Sequence, residues 1–227
     1  IEDARINIRG SLNVLDSCIR TGVRRVVYTS SCAIYGNPEY LPVDEKHPVR
    51  PLSPYGVSKF AVEQYLHTYR TVHGLAFVSL RYSNVFGPRQ NSKGEAGVVA
   101  LFARQMLNGE HPTIFGSGDK TRAYVYVDDV ARANLVAIES ECEGIFNIGT
   151  GVQTTDQTVF DSLSRELNYP APARYEPVRP GEINHMSLDC SKARKELGWS
   201  SIVSFAEGIS LAAGYYRSEY KSKALLY

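Results

Sequence analysis

Short runs of β-branched and aromatic residues alternate with amphipathic helical segments along this chain of 227 residues. Strands are predicted at Val26–Tyr28, Phe77–Tyr82 and Ile145–Ile148, because each run is short and bounded by turn signals. Helices are predicted between them, most clearly over residues 3–20 and 55–73, where apolar residues recur at helical spacing. Strands that alternate with helices in this way predict an α/β fold with a parallel sheet.

Composition excludes several other classes of protein. Hydrophobic residues make up 43% of the chain and charged residues 22%, which is typical of a globular protein rather than a disordered chain or a coiled coil. The net charge is +1, so neither nucleic acid nor an anionic membrane surface is an expected partner. No apolar run approaches the roughly 18 residues of a membrane span. The cysteines lie far apart without a C-x-x-C pair, so we expect no metal site and a reducing cytoplasm, with no signal peptide visible.

A tyrosine and a lysine at the start of one predicted helix are the first candidates for chemistry. Tyr55 and Lys59 are four residues apart and therefore share a helix face. An ammonium beside a phenol favours the phenolate and moves its pKa from about 10 toward neutrality, which suits a base that removes an alcohol proton. Taken alone, the pair is better explained as a surface tyrosine and lysine, because Y-x-x-x-K often occurs by chance.

Two serines stand at the end of the predicted strand before that helix. Ser30 and Ser31 close the strand, and ligands of open parallel sheets bind at the carboxyl ends of strands. Ser31 is therefore placed to hydrogen-bond the hydroxyl that Tyr55 would deprotonate. The alternative is a serine that caps a turn.

Eight motifs follow one another in order along nearly the whole chain. They are Asn7-x-x-Gly10-Ser11-x-Asn13, Thr29-Ser30-Ser31-x-x-x-Tyr35-Gly36, Pro54-Tyr55-Gly56-x-Ser58-Lys59-x-x-x-Glu63, Leu80-Arg81-Tyr82-x-Asn84-Val85-Phe86-Gly87-Pro88, Ile114-Phe115-Gly116-x-Gly118-x-x-x-Arg122-x-Tyr124-x-Tyr126-Val127-x-Asp129-Val130, Phe146-Asn147-Ile148-Gly149, Arg179-Pro180-Gly181-Glu182, and Asp189-x-Ser191-Lys192-Ala193 with Leu197-Gly198-Trp199. Together they resemble the extended short-chain dehydrogenases/reductases, in particular the nucleotide-sugar epimerase/dehydratase group. The resemblance implies a Rossmann-like parallel sheet with helices on both faces, a smaller C-terminal α/β substrate lobe, and NAD as cofactor.

The resemblance also implies roles for individual residues. The catalytic residues would be Ser31, Tyr55 as the base, and Lys59, which would also bind the nicotinamide ribose. The residues on the cofactor side would be Asn7, Ser30, Tyr55, Lys59, Tyr82 and Ser83. The residues that bind a UDP-sugar would be Ser31, Asn84, Val98, Val99, Thr113, Phe115, Arg122, Arg179, Glu182 and Met186. The two arginines would hold the diphosphate, as guanidinium groups do well, and surface salt bridges are the alternative for them.

The loop after Ser31 distinguishes reactions within this group. Dehydratases tend to place acidic residues there for general acid–base work, whereas this chain has Cys32 and Ala33. The run Thr29–Ser31, followed by small residues and Tyr35-Gly36, is most similar to UDP-hexose 4-epimerases. The resemblance therefore implies 4-epimerisation of UDP-glucose and UDP-galactose, through a 4-keto sugar and hydride transfer to and from NAD. The alternatives are a UDP-N-acetylglucosamine or UDP-glucuronate 4-epimerase, a nucleotide-sugar dehydratase or reductase, and a UDP-sugar-binding fragment without turnover.

One residue bears on the choice of sugar. Met186 is placed by the resemblance in the sugar pocket, where a bulky aromatic residue tends to exclude N-acetyl sugars. Methionine is flexible and intermediate in size, so it favours UDP-glucose and UDP-galactose while leaving the N-acetyl pair open. A core methionine is the alternative.

The glycine-rich turn with which this family begins is not found in the sequence. That turn brings the dinucleotide pyrophosphate to a helix N-terminus. The chain opens on Ile1, reads as helix from Asp3 and contains no G-x-x-G-x-x-G. We expect that roughly the first third of a family member is missing and that the chain is part of a longer protein. NAD rather than NADP follows from the resemblance alone.

Domain organisation and assembly are predicted more coarsely. From about Glu166 the pattern becomes irregular and rich in proline. We therefore predict a partial dinucleotide-binding domain with interleaved substrate-lobe segments over 1–165, and a region over 166–227 that is mostly nucleotide-sugar-binding lobe. The helices over 3–20 and 55–73 resemble those that form a four-helix bundle in family dimers, with Val62, Leu66 and Tyr69 facing the bundle. The same spacing fits burial against the sheet.

Overall fold

Contacts divide the chain into two compact units. The computed structural model describes residues 1–91, 97–179 and 181–224, and residues 92–96, 180 and 225–227 lie outside the described part. Unit 1 consists of Ile1–Ser83, Ala131–Gly151 and Leu188–Ser200, and unit 2 of Asn84–Val130, Val152–Ser187 and Ser201–Tyr227. This division does not follow a boundary at 165/166, and the assignment of roles to 1–165 and 166–227 stays a prediction.

The main helices and strands lie where the sequence predicts them. The helices are α1 (Glu2–Ala4), α2 (Gly10–Thr21), α3 (Pro54–His73), α4 (Val98–Leu107), α5 (Val127–Glu139), α6 (Asp156–Leu167) and α7 (Phe205–Ala224). The strands are β1 (Arg25–Ser31), β2 (Ala76–Tyr82), β3 (Asn84–Phe86), β4 (Thr113–Phe115), β5 (Thr121–Tyr126), β6 (Gly144–Ile148), β7 (Gln153–Thr155) and β8 (Arg174–Glu176). Wider π-helical stretches occupy Arg5–Arg9 and Ala193–Leu197, and a 3₁₀ turn over Cys32–Ile34 follows β1.

Unit 1 is built on a parallel sheet of order β1-β2-β6. The register pairs Ser31 with Tyr82 at the end of β1, and Tyr82 with Ile148 at the end of β6. The carboxyl ends of these strands therefore align at one edge. The middle strand β2 is buried along nearly its whole length, as expected of a parallel strand covered on both faces. The predicted parallel α/β fold is confirmed.

Helices α2 and α3 pack on this sheet through a small apolar cluster. The cluster contains Leu15, Val62, Leu66, Leu75 and Phe77, each at most 2% exposed. Of the three residues predicted to face a dimer bundle, Val62 and Leu66 are thus buried in the chain's own core. Their spacing reflects burial against the sheet, which was the alternative, and the homodimer stays a prediction.

Unit 2 combines short strands with three packed helices. Strand β5 pairs in parallel with β3 and antiparallel with β7, while β4 pairs in parallel with β8. Helices α4, α6 and α7 enclose a core that includes Phe86, Phe102, Phe160 and Tyr216. Among the residues described, no helix is both long and apolar enough to cross a membrane.

Candidate active site

The start of α3 lies directly against the turn that follows Ser31. Ser31 caps the turn Cys32–Ile34, and its Oγ accepts a hydrogen bond from the backbone N–H of Ala33 at 3.2 Å. A Cβ on Gly56, in the first turn of α3, would lie 2.6 Å from the carbonyl oxygen of Ala33. Only glycine permits this approach, so the turn after Ser31 and the first turn of the helix are in contact.

Local sequence explains why α3 begins at this point. Ser53 has an extended backbone, and its hydroxyl accepts a hydrogen bond from the N–H of Gly56 at 3.1 Å, while Pro54 occupies the first helical position. Both are strong helix-start signals. The helix therefore carries Tyr55 in its first turn and Lys59 one turn later.

Lys59 is held in place by its surroundings. Its Nζ donates to the carbonyl oxygen of Thr29 at 2.8 Å and lies 5.1 Å from the ring centre of Tyr28 and 5.7 Å from that of Tyr55. Burial lowers the pKa of the Lys59 ammonium below its usual value, and the carboxylate of Asp3 partly opposes that shift. A fixed cation therefore lies beside two aromatic rings.

Tyr55 combines proximity to that cation with access to solvent. The residue is 37% exposed and therefore borders solvent. The Nζ of Lys59 lies 5.7 Å from the Tyr55 ring centre, and a cation near a phenol generally favours its ionised form. Tyr55, Lys59 and Ser31 are all in unit 1, on α3 and at the end of β1. This arrangement can remove a proton from an alcohol.

Two serine hydroxyls at the carboxyl ends of β1 and β2 lie buried. Ser30 is fully buried and Ser83 is 6% exposed. Within the described residues, no hydrogen-bond partner is found for either Oγ. Buried polar atoms are normally paired, so such atoms call for a ligand or water. Their position at the strand ends fits a dinucleotide cofactor, which binds at that edge of open parallel sheets.

The other two residues predicted on the cofactor side are engaged within unit 1. Tyr82 ends β2, and its hydroxyl donates to Oδ1 of Asn134 at 2.9 Å. Asn7 lies in the π-helical stretch, and its Nδ2 donates to Oδ1 of Asp3 at 2.8 Å. Asp3 thus touches Asn7 and influences Lys59. Asp3 is not among the residues predicted from the sequence, although its position four residues before Asn7 on the same helix was an available signal.

Unit 2 contains the remaining predicted substrate residues, two of which are arginines. Arg122 donates from Nη1 to the carbonyl oxygen of Thr121 at 2.8 Å. The guanidinium of Arg179 is exposed and lies 3.6 Å from the ring centre of Phe115. Both are therefore oriented, one by backbone and the other by an aromatic face, and each can bind a phosphate.

Glu182 is paired with a cation that was not among the residues predicted from the sequence. The Nζ of Lys120, which is 6% exposed, donates to Oε2 of Glu182. Lys120 stands two residues before Arg122 in the same motif, which was the available signal. Burial raises the pKa of the neighbouring Asp156, and the charges of Arg122 and Lys120 oppose that shift. Glu182 therefore belongs to a group of charged side chains in unit 2.

Other predicted substrate residues differ in how accessible their side chains are. Val99 is 1% exposed and packs in the core of unit 2, so its side chain is not available to a ligand. Met186 is 2% exposed, which matches the alternative of a core methionine. The partly accessible residues are Asn84, Val98, Thr113 and Phe115.

Comparison with known proteins assigns the chain to a family. The model of the NAD dependent epimerase/dehydratase family matches residues 1–149. The chain belongs to this family. Its members are NAD-dependent by description, in agreement with the cofactor expected from the sequence and with the buried hydroxyls at the strand ends.

Individual members of the epimerase/dehydratase family resemble the chain over nearly its whole length. A UDP-glucose 4-epimerase of Mycolicibacterium smegmatis is 39% identical over 219 residues, which are 96% of this chain and 70% of the relative. The UDP-glucose 4-epimerase of Thermotoga maritima, solved with UDP-glucose, is 44% identical, with a TM-score of 0.93 over 96% of this chain and 71% of that one.

A second solved relative is named for a different sugar. It is a UDP-N-acetylglucosamine 4-epimerase of Methanobrevibacter ruminantium in complex with UDP-N-acetylmuramic acid. It is 33% identical, with a TM-score of 0.90 over 94% of this chain and 69% of that one. The solved relatives therefore share the fold and differ in the sugar named.

Proposed function

We propose that this chain carries the catalytic residues and the UDP-binding residues of an NAD-dependent UDP-sugar 4-epimerase, an isomerase. The observation that carries the proposal is the placement of Lys59, with Nζ 2.8 Å from the Thr29 carbonyl oxygen and 5.7 Å from the Tyr55 ring centre. A cation fixed beside a partly exposed tyrosine favours removal of a proton from a sugar hydroxyl by that tyrosine.

In this proposal Tyr55 takes the proton of the sugar C4 hydroxyl and returns it at the end of the cycle. Lys59 stabilises the phenolate that makes this transfer favourable, and Ser31 hydrogen-bonds the same hydroxyl. NAD, when bound, supplies the hydride acceptor and donor. The residues that would hold it are Asn7, Ser30, Tyr55, Lys59, Tyr82 and Ser83. The buried hydroxyls of Ser30 and Ser83 support this assignment.

The UDP part is assigned to unit 2. Arg122 and Arg179 would bind the diphosphate through charge-assisted hydrogen bonds, which are stronger than hydrogen bonds between neutral groups. Asn84 would hold the diphosphate, and Glu182 would accept hydrogen bonds from the ribose hydroxyls. The segment 113–115 would contact the base. Val98 would begin the helix over the nucleotide, with Val99 contributing no side-chain contact.

The preferred substrates are UDP-glucose and UDP-galactose. Relatives with that name at 39% and 44% identity support this choice. UDP-N-acetylglucosamine is the second candidate, because a relative named for it shares the fold. Dehydration is disfavoured because Cys32 and Ala33 offer no carboxylic acid after Ser31.

Incubation of the full-length, cofactor-loaded protein with UDP-galactose tests the proposal. Formation of UDP-glucose, followed by chromatography, is the expected result. Conversion of UDP-N-acetylglucosamine but not of UDP-galactose would change the proposed substrate and leave the proposed 4-epimerase reaction in place. Bound NAD without conversion of any UDP-hexose would overturn epimerisation.

A further inference from the structure

A buried ion pair joins α3 to the middle strand of unit 1. Glu63 on α3 and Arg81 on β2 have side chains that are 0% and 3% exposed. Arg81 donates from Nη2 to Oε2 of Glu63 at 2.6 Å and from Nε to Oε1 at 3.0 Å. Ser79 adds a hydrogen bond from its Oγ to Oε1 at 3.0 Å. The carboxylate is therefore held at both oxygens from one strand.

The same arginine also reaches the loop after Ser31. Its Nη1 donates to the hydroxyl of Tyr35 at 2.9 Å, and that hydroxyl donates to Oδ1 of Asn147 at 2.7 Å. Asn147 donates in turn from Nδ2 to the carbonyl oxygen of Val43 at 2.9 Å. Tyr35 and Asn147 are both fully buried. We call Glu63, Arg81, Tyr35 and Asn147 the buried polar network.

A buried ion pair of this kind contributes less to stability than to the relative placement of the elements that it joins. The free-energy cost of taking two charges out of water cancels most of their mutual attraction. Hydrophobic residues of equal volume would therefore often stabilise a core at least as much. Directional hydrogen bonds, by contrast, hold their partners at defined distances and angles. The buried polar network is therefore suited to fixing one element relative to another.

The two ends of this network are close in sequence to the proposed catalytic residues. Glu63 follows Lys59 by four residues and Tyr55 by eight, so all three lie on one face of α3. Tyr35 directly follows the turn Cys32–Ile34, which Ser31 caps. Arg81 thus connects the helix of Tyr55 and Lys59 with the turn of Ser31.

We propose that the buried polar network is a positioning device, which sets the distance between Ser31 and Tyr55 by fixing the turn after β1 against α3. The inference rests on the proposed function for its catalytic consequence. Glu63, Arg81 and Tyr35 act through Ser31, Tyr55 and Lys59, and none of them contacts the substrate.

Tyr35→Phe tests this inference because it removes one hydroxyl and keeps the ring. In the full-length, cofactor-loaded protein, kcat for UDP-galactose is expected to fall about tenfold or more, since small misplacements of reacting groups are costly. KM is expected to stay within about twofold, because the diphosphate residues are untouched. An unchanged kcat, or a drop in thermal stability alone, would overturn the inference.

Tyr216→Phe provides the matched control. Tyr216 is 6% exposed, and its hydroxyl donates to the carbonyl oxygen of Gly87 at 2.9 Å in unit 2. The variant Tyr216→Phe loses a buried tyrosine hydrogen bond and leaves the buried polar network unchanged. Its kcat is expected to equal that of the unmodified protein. An equal fall in kcat in both variants would assign the effect to general destabilisation and overturn positioning.

Amide hydrogen exchange gives a readout that does not depend on turnover. In Tyr35→Phe, exchange is expected to accelerate over residues 32–35 and in the first turn of α3, and to remain unchanged in Tyr216→Phe. Unchanged exchange in both segments would overturn the inference. If the unmodified protein converts no UDP-hexose, the proposed function fails, and exchange alone decides whether the network holds the two elements.

Discussion

Lys59 shows how single residues gain their properties from the groups around them. The Thr29 carbonyl orients its Nζ, two rings flank it, and burial lowers the pKa of the ammonium while Asp3 raises it. The charge on which the proposed base depends is therefore present only below that lowered pKa.

This balance predicts a shift in the pH dependence of turnover. Activity that needs the ammonium falls as pH rises through the lysine pKa, so the alkaline limb of the kcat profile should lie below the usual lysine value of about 10.4. Asp3→Asn removes the carboxylate that supports the charge and should move that limb to lower pH. A shift to higher pH would contradict the assigned role of Asp3. Glu2→Gln is the control, since Glu2 is exposed and pairs with Arg5.

Tyr55 is the proposed base and can be tested by removing one oxygen. Tyr55→Phe keeps the ring beside Lys59 and deletes the group that accepts the proton. Turnover should fall by about 10²–10⁴, the range for general acid–base groups. UDP-sugar affinity, measured by calorimetry, should stay close to that of the unmodified protein. A near-normal rate would remove Tyr55 from the mechanism.

At the scale of elements, the contact between α3 and the turn after β1 is the decisive one. It depends on a glycine, because a methyl group on Gly56 would lie 2.6 Å from the Ala33 carbonyl oxygen and 2.9 Å from Cβ of Pro51. Backbone and ring atoms cannot move aside as a flexible side chain can. A larger residue must therefore move the start of the helix.

Gly56→Ala is expected to lower both stability and kcat. Overpacking costs about 1–3 kcal/mol, and the displaced helix carries Tyr55 away from Ser31. Thermal unfolding and steady-state kinetics measure the two effects. Gly214→Ala is the matched control, because that exposed helical glycine has nothing within 4 Å of the added Cβ. Alanine should raise stability there by up to about 1 kcal/mol. A fully active Gly56→Ala would show that the close approach is dispensable.

At the scale of the whole molecule, the proposed roles separate by unit. The catalytic and cofactor-side residues belong to unit 1, whereas every proposed substrate residue except Ser31 belongs to unit 2. Substitutions in unit 1 should therefore alter the chemical step. Substitutions in unit 2 should alter the affinity for UDP.

Arg179→Ala tests this separation of roles. Loss of a charge-assisted hydrogen bond should weaken UDP-sugar binding by about 1.5–3 kcal/mol, measured by calorimetry. The double variant with Tyr55→Phe should bind with the affinity of Arg179→Ala alone. Arg50→Ala is the control, because Arg50 is largely exposed and pairs with Glu39. Unchanged affinity in Arg179→Ala would remove this residue from the diphosphate site.

Much of the fold could be predicted because its signals are local. The ends of the helix Pro54–His73 are predicted by a serine cap, a proline in the first turn and Gly74 after the last residue. Strands such as Thr113–Phe115 and Arg174–Glu176 have three residues each and pair with each other across a long separation in sequence. Their hydrogen bonds come from a distant partner, so no local pattern revealed them.

The sequence by itself determined the parallel α/β class and the helix that carries Tyr55 and Lys59, because period and spacing are properties of neighbouring residues. Most of the other candidate residues came from the resemblance of its motifs to a known family. Only the tertiary structure decided that Val62 and Leu66 face the core, that Lys120 pairs with Glu182, and that Arg81 joins Glu63 to Tyr35. The physical reason is that burial and pairing depend on contacts between side chains of different elements. Those contacts join residues that are far apart in the sequence, so no local pattern encodes them.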